Sequence, residues 1–385
     1  MLSVGQGIDR VRGGMKRTHS SAFQEDALQK LPKECEDIVF AYLSVTELCR
    51  TVAPASSRLR AIAYQSKYWR NLRILGMQNQ RALEILRLHG RKMQQLTCYG
   101  MRISRALCQS FSKCSALQSL DLTGIWKSTA VDKRFVSAIA SLPLKQLLFG
   151  HNEVCDEGFT LLCNNMSGLE ELDFNSRKVS SRALYNLCML TNLNSLCLRS
   201  CAHANEDTVR SICRLRKLKT LQLSFLPMLH CVSLRHLYCK GIVDRLQTLV
   251  LNGMYLDRDS LRKLSSFREL RVLSVCHPKI SSSDLERVSI PSLELLTIFC
   301  SNEMYSFDFL SNLPSLKTLC LYRCACSNTS LMQWAGRRPM LEFRLFAPRA
   351  LREGGQPRPD KTLNYKAYAN LKELRLMRRP YPVFL

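Results

Sequence analysis

Eighteen cysteines and seven histidines are the residues of this 385-residue chain best suited to chemistry, so their spacing is the first test. The nearest approach to a metal-ligand set is Cys231, His236 and Cys239. It offers three ligands, where a structural zinc site takes four in a tetrahedron, and its spacing matches no familiar ligand pattern, so packing is the expected role. The chain has no Cys-x-x-Cys, His-Glu-x-x-His or Gly-x-Ser-x-Gly and no Gly-rich phosphate loop. No catalytic residue, metal or cofactor is therefore assigned, and a non-catalytic protein is expected.

The cysteines are scattered from Cys35 to Cys326, and no secretory apolar segment lies near Met1, which predicts reduced thiols in the cytoplasm or nucleus. No apolar run approaches the roughly 18 residues of a spanning helix, so no membrane partner is expected. Residues 1–27 read as a disordered basic tail, the first 24 of them holding Arg10, Arg12, Lys16 and Arg17 against one acid, Asp9, among glycines and serines. A mitochondrial transit peptide is the alternative reading, weakened by Gly5, Gly7, Gly13 and Gly14.

Among the elements that must carry these residues, one pattern dominates from Trp69 onward. An apolar residue, two others, an apolar residue, one other and an apolar residue recur thirteen times. Clear copies are Leu117/Leu120/Leu122, Leu169/Leu172/Phe174, Leu193/Leu196/Leu198, Leu218/Leu221/Leu223, Leu246/Leu249/Leu251, Leu316/Leu319/Leu321 and Leu371/Leu374/Leu376. Weaker copies start at Trp69, Met93, Leu144, Leu270, Leu293 and Met340. Successive starts lie 23 to 31 residues apart, almost wholly within the period of roughly 20–29 of leucine-rich repeats. Each block reads as a short strand, often followed by a helix with an Asp or Ser cap, as at Asp156-Glu157-Gly158-Phe159 and Ser283-Asp284-Leu285. One such unit buries too few side chains to offset its chain entropy, so neighbours must stack and share a core.

Residues 69–385 thus resemble the leucine-rich-repeat family, in particular its cysteine-containing type. The resemblance implies an α/β solenoid, a horseshoe with a parallel sheet on the concave face; the copies number about thirteen, and the longest interval leaves a long loop at 347–370. In that type a Cys or Asn after the strand holds backbone groups in the turn. Cys201, Cys324 and Asn152 match, whereas Met254, Pro278 and Arg177 stand at that place in other coils.

Residues 28–70 lack the repeat. Leu31-Pro32-Lys33-Glu34, Ile38, Phe40, Tyr42-Leu43, Leu48, Val52, Arg58-Leu59, Ile62 and Tyr68-Trp69 have helical spacing and predict three short helices, with Pro54 between the second and third. This stretch is similar to the F-box family, which begins with Leu-Pro, continues to Ile-Phe-x-Tyr-Leu and ends near a Trp. It departs at Ala53-Pro54-Ala55-Ser56-Ser57-Arg58-Leu59, where the family usually has Val-Cys-x-x-Trp. The resemblance implies docking on the Skp adaptor of a cullin ubiquitin ligase through Leu31, Pro32, Ile38, Phe40, Leu43 and Leu48. The alternative is a helical cap over the first coil, which every solenoid requires.

Positions between and after the inward residues of each strand face the open side of the sheet. There Arg73, Arg199, Arg344 and Arg375 meet Asp121, Glu171, Asp173, Glu342 and Glu373, a nearly neutral set, so the net charge of +25 belongs to the other side, the tail and the loops. The densest basic stretch is Ala335–Leu385, with twelve Lys or Arg against four acids. In the later coils the open face turns apolar at Val250, Val272, Leu295, Phe299, Tyr322 and Phe346, predicting an exposed patch for a protein substrate; the alternative is that residues 347–370, rich in Gly, Pro and Arg, fold back over it. The combined resemblance implies a substrate receptor of an SCF-type ligase. The rival is a leucine-rich-repeat scaffold in a ribonucleoprotein or organellar assembly, with RNA as the partner of the basic surface.

Overall fold

A computed structural model describes residues 32–43, 47–75, 79–100, 102, 104–125, 133–150, 152, 154–238, 241–254, 256–276, 279–346, 349–350 and 371–373. The chain divides into two compact units, Met1–Trp69 and Arg70–Leu385.

In the first unit, helix Lys33–Tyr42 begins directly after Pro32, whose fixed φ of −53° suits a helix entry. A π-type turn, Leu48–Val52, runs into the short helix Ala53–Ala55, and Ser57–Ala63 and Ser66–Trp69 follow. Pro54 does not separate a pair of helices as its type predicts. It sits in the first turn of Ala53–Ala55, where its missing N–H costs nothing, and the break falls at the extended Ser56, whose hydroxyl accepts the Leu59 N–H at 3.1 Å. Phe40, Leu48, Ala53 and Ala63 form the core, with Leu43, Val52, Leu59, Ile62 and Tyr68 packed around it. Trp69 is buried, donates its indole N–H to the Ala63 carbonyl at 2.9 Å and stacks on Tyr64.

The second unit is a leucine-rich-repeat solenoid. Its strands are β1 (Asn71–Leu75), β2 (Gln95–Tyr99), β3 (Ser119–Gly124), β4 (Gln146–Leu148), β5 (Glu171–Asn175), β6 (Ser195–Arg199), β7 (Thr220–Ser224) and β8 (Thr248–Asn252). Then come β9 (Val272–Cys276), β10 (Leu295–Phe299), β11 (Thr318–Tyr322), β12 (Ala325–Cys326), β13 (Glu342–Phe346), β14 (Arg349–Ala350) and β15 (Leu371–Glu373). Thirteen of them form one parallel sheet in strict chain order, while β12 and β14 pair separately. A rising ladder joins the coils: the carbonyl preceding each of β1 to β10 accepts two N–H groups from the next coil, as Gln94 accepts from Gln118 and Ser119, and Glu294 from Lys317 and Thr318.

The predicted inward leucines are the core, and Leu172, Leu196, Leu221, Leu249 and Leu319 are almost wholly buried. An interior column of edge-to-face rings, Phe111, Phe135, Phe149 and Phe174, ties four successive coils together. The pattern slips at two places. Met340 is 92% exposed and Leu341 takes the interior place. The last strand pairs Leu371 with Phe343, where the spacing predicts Leu374 opposite Phe343, a shift of three residues. The 31-residue interval before it removes the phase that a regular repeat would impose.

Just beyond the strands the chain turns through left-handed backbone at Gly100, Gly150 and Gly253, but also at Ser200, Phe225, Cys300 and Arg323. Here the N–H groups of Gly100, Ser200, Phe225, Cys300 and Arg323 find the next coil: Cys300 donates to the Tyr322 carbonyl at 2.7 Å and Arg323 to that of Phe346 at 2.8 Å. The turn ladder expected of Cys201, Cys324 and Asn152 is present. Cys324 Sγ donates to the carbonyls of Ile298 and Tyr322 at 3.3 and 3.5 Å, Cys201 Sγ to that of Arg199 at 3.5 Å, and Asn152 Nδ2 to that of Leu122 at 3.4 Å. Where the motif departs, Ser176 and Ser301 hydroxyls supply equivalent bonds, to the carbonyls of Val154 and Ile280. Caps also fall one or two residues before the expected places, at Cys155 and Ser281. Ser281 closes a capping box with Asp284, and Asp156 accepts from the Ser180 N–H of the next coil at 2.7 Å instead of capping its own helix.

Candidate functional site

Helix Lys33–Tyr42 has two faces. Glu36 and Phe40, four residues apart, turn inward, where Glu36 is held by Arg58 and Phe40 sits edge-on to Tyr68. The opposite stripe, Cys35, Ile38, Val39 and Tyr42, lies open, with Ile38 59% and Tyr42 86% exposed. The expected adaptor residues therefore separate. Pro32 and Ile38 are exposed, Leu43 is half-buried, Phe40 and Leu48 are interior, and Leu31 lies outside the described residues. Phe40 and Leu48 correct the expectation: the helical period turns them into the unit's core, so they cannot offer a surface. Val39 and Tyr42 were missed, although their spacing from Ile38 and Cys35 is the signal of a shared face.

On the open face of the sheet, register brings side chains into rows that run across the coils. The row of final strand positions passes through Asn175, Arg199, Ser224, Asn252, Cys276, Phe299, Tyr322 and Phe346. Its polar end is pinned by short-range bonds. Arg199 reaches the Asp173 carboxylate at 3.2 Å and the Cys197 thiol at 3.0 Å, and Ser274 donates to Asn252 at 3.2 Å. Burial raises the pKa of Asp173, and the neighbouring Arg199 charge works against that rise. Nearby, Gln146 donates to Glu171 at 2.7 Å, and Arg344 pairs with Glu342 of its own strand at 2.8 Å. The expected charge balance of this face thus appears as local pairs. Arg375 lies outside the described residues, and the shifted register sets Glu373 opposite Leu345.

The far end of the row is aromatic. Phe299 stacks on Tyr322 with centroids 4.5 Å apart, and Tyr322 on Phe346 at 3.9 Å. Parallel strands lie about 4.8 Å apart, close to the thickness of stacked rings, so one ring per coil in one row must stack. Of the six expected substrate residues, these three form one ladder. Val272 and Leu295 pair in the row at the strand starts, and Val250 lies in the middle row beside Ser274. The expectation of an exposed patch needs correction, because Val250, Phe299 and Tyr322 are buried, while Val272, Leu295 and Phe346 are half-buried. Stacked rings shield each other's faces. Cys276, Cys300 and Cys320 pack on the ladder and were not singled out from sequence, since only the pairing of β9, β10 and β11 brings them to it.

The metal-like set disperses. Cys231 donates to Asp257 at 3.4 Å, and His236 Nε2 lies 2.7 Å from Glu206, while Cys239 lies outside the described residues. Among the described residues no group of three or more His, Cys, Asp or Glu is placed to hold a metal ion, and no helix is long and apolar enough to cross a membrane.

No protein-family model matches the chain, and no curated relative matches it. Among solved structures it is similar to a chain of the yeast complex of Rad7 and Elc1, at 16% identity and a TM-score of 0.44, over 89% of this chain and 94% of that one. It is also similar to an internalin, InlF, of Listeria monocytogenes, at 16% identity and a TM-score of 0.40, over 77% of this chain and 94% of that one. The solenoid assignment rests on the chain's own strand order and register.

Proposed function

We propose that this protein is a non-catalytic substrate-recognition subunit of an SCF-type (Skp/cullin/F-box) ubiquitin ligase. The helical unit docks on the Skp adaptor, the repeats hold a protein substrate, and other subunits of the ligase transfer ubiquitin. The observation that supports this most is the open apolar stripe of Cys35, Ile38, Val39 and Tyr42 on a helix whose opposite face already has a complete core. An amphipathic helix with an uncovered apolar face is the form that helix-in-groove docking uses. In this reading Pro32, Ile38, Val39 and Tyr42 make the contact, with Leu43 at its edge, and Phe40 and Leu48 hold the helix in shape. Substrate capture is assigned to the aromatic end of the open face, where the buried Phe299 and Tyr322 hold the half-buried Phe346 ring in a pre-ordered position that loses little side-chain entropy on binding.

The test is recovery of adaptor and cullin with the intact chain, a double variant Ile38→Asp with Tyr42→Asp, and Phe40→Ala. Adaptor bound by the intact chain and lost from the double variant, with its melting profile retained, is the expected result. No adaptor on any of the three sinks the ligase reading.

One observation favours the scaffold reading. Arg214, Arg216, Lys217 and Lys219 are all exposed within six residues of the loop entering β7. If that cluster meets RNA, binding falls steeply with salt, whereas apolar capture on the ladder changes little.

A further inference from the structure

Cys276 ends β9 and Cys300 follows β10, and both are half-buried. Cys276 is paired in register with Phe299, so Cys300 stands one residue further along the neighbouring strand. A strand spacing of about 4.8 Å and a rise of about 3.3 Å per residue put such Cα atoms about 6 Å apart, within the roughly 4.4–6.8 Å that a disulfide spans. The side chains converge: both thiols pack against the Phe299–Cys320–Tyr322 cluster. The left-handed backbone of Cys300, with φ of 60°, accompanies this placement. The nearby Cys324 is fully buried and occupied with the carbonyls of Ile298 and Tyr322, which leaves Cys276 and Cys300 as the accessible pair.

We propose that Cys276 and Cys300 are a dithiol that closes to an intrachain disulfide when the protein meets hydrogen peroxide. The Cys300 thiolate attacks a peroxide oxygen, the O–O bond breaks, and the departing hydroxide takes a proton to become water, leaving a sulfenic acid. The Cys276 thiolate then attacks that sulfur, the S–S bond forms, the S–O bond breaks, and the second hydroxide leaves as water with the Cys276 proton. Two thiols lose two electrons and two protons, and one peroxide becomes two waters. Burial raises the Cys276 thiol, which makes it the second reactant and makes closure faster as pH rises. In a reducing compartment such a bond is transient, and it would tie β9 to β10 at the start of the aromatic ladder. The assignment does not depend on the ligase reading.

The test uses the full chain, treated with hydrogen peroxide or dithiothreitol, alkylated and mapped as peptides without reduction. The expected result is a linked peptide containing Cys276 and Cys300 after peroxide, lost on dithiothreitol. In Cys276→Ser the link disappears and Cys300 accumulates over-oxidised. The wild-type map decides the matter even if that variant folds poorly. Recovery of both cysteines alkylated after peroxide, or a link from either to Cys324, overturns the proposal.

Discussion

Tyr322 lies flat against Phe346, with ring centroids 3.9 Å apart and planes 6° from parallel. The two residues are register partners on β11 and β13, so the contact follows from the sheet and needs no local device. Phe299 repeats the relationship on the other side of Tyr322 at 4.5 Å.

Each aromatic pair contributes about 0.5–1.5 kcal/mol beyond its buried area, so Tyr322→Leu, which loses two pairs, should cost about 1–3 kcal/mol. A double-mutant cycle of Tyr322→Leu with Phe346→Leu, followed by urea unfolding, should give coupling of about 0.5–1.5 kcal/mol. Additive costs would mean that the rings merely adjoin.

Leu196 pairs in register with Leu172 and Leu221, and all three are fully buried. Leu196→Asp places an unpaired charge among them, at a cost of about 3–5 kcal/mol. Because each coil is supported by its neighbours, the thermal transition should fall or split. An unchanged transition would refute the register.

Glu206 Oε1 accepts from His236, Arg235 and Arg210 at 2.7, 2.9 and 2.7 Å. His236 first and Arg235 next hold its pKa down to about 2, from an ordinary 4.5. Between those values the unfolded chain binds the extra proton, so stability from this group is present above about pH 4.5 and is lost as pH falls toward 2. Acid unfolding of Glu206→Gln should be less steep across that window than in the parent, and matching acid profiles would show that Glu206 has no share in it.

Gly150 has φ of 61°, and a Cβ there would lie 2.5 Å from the Thr123 Cα. Gly150→Ala should destabilise by at least the roughly 1–2 kcal/mol of left-handed backbone. Arg323, at φ of 53°, makes the reverse case, since Arg323→Gly relieves a similar strain against an entropy cost of about 0.5–1 kcal/mol. Chemical denaturation should give the two changes opposite signs, or a near-zero effect for the second.

The repeat was legible because burial of one face forces an inward residue at fixed strand positions, and Leu172, Leu196 and Leu221 obey it. Met340 and Leu371 broke the phase where a long interval or a neighbouring leucine offered another solution. In the helical unit, motif likeness treated Phe40 and Ile38 alike, yet the helical period sends one inward and the other out.

By itself the sequence determined the number and period of the coils, the inward leucines and the apolar character of the late open face. These are local: each follows from a residue's type and its distance to the next repeat. The tertiary structure alone decided that Phe299, Tyr322 and Phe346 stack, that Cys276 and Cys300 pack on the same cluster, and that Phe40 and Leu48 are interior. Those relations depend on register between strands and on the packing of one helix against others, and distance along the chain does not carry that information.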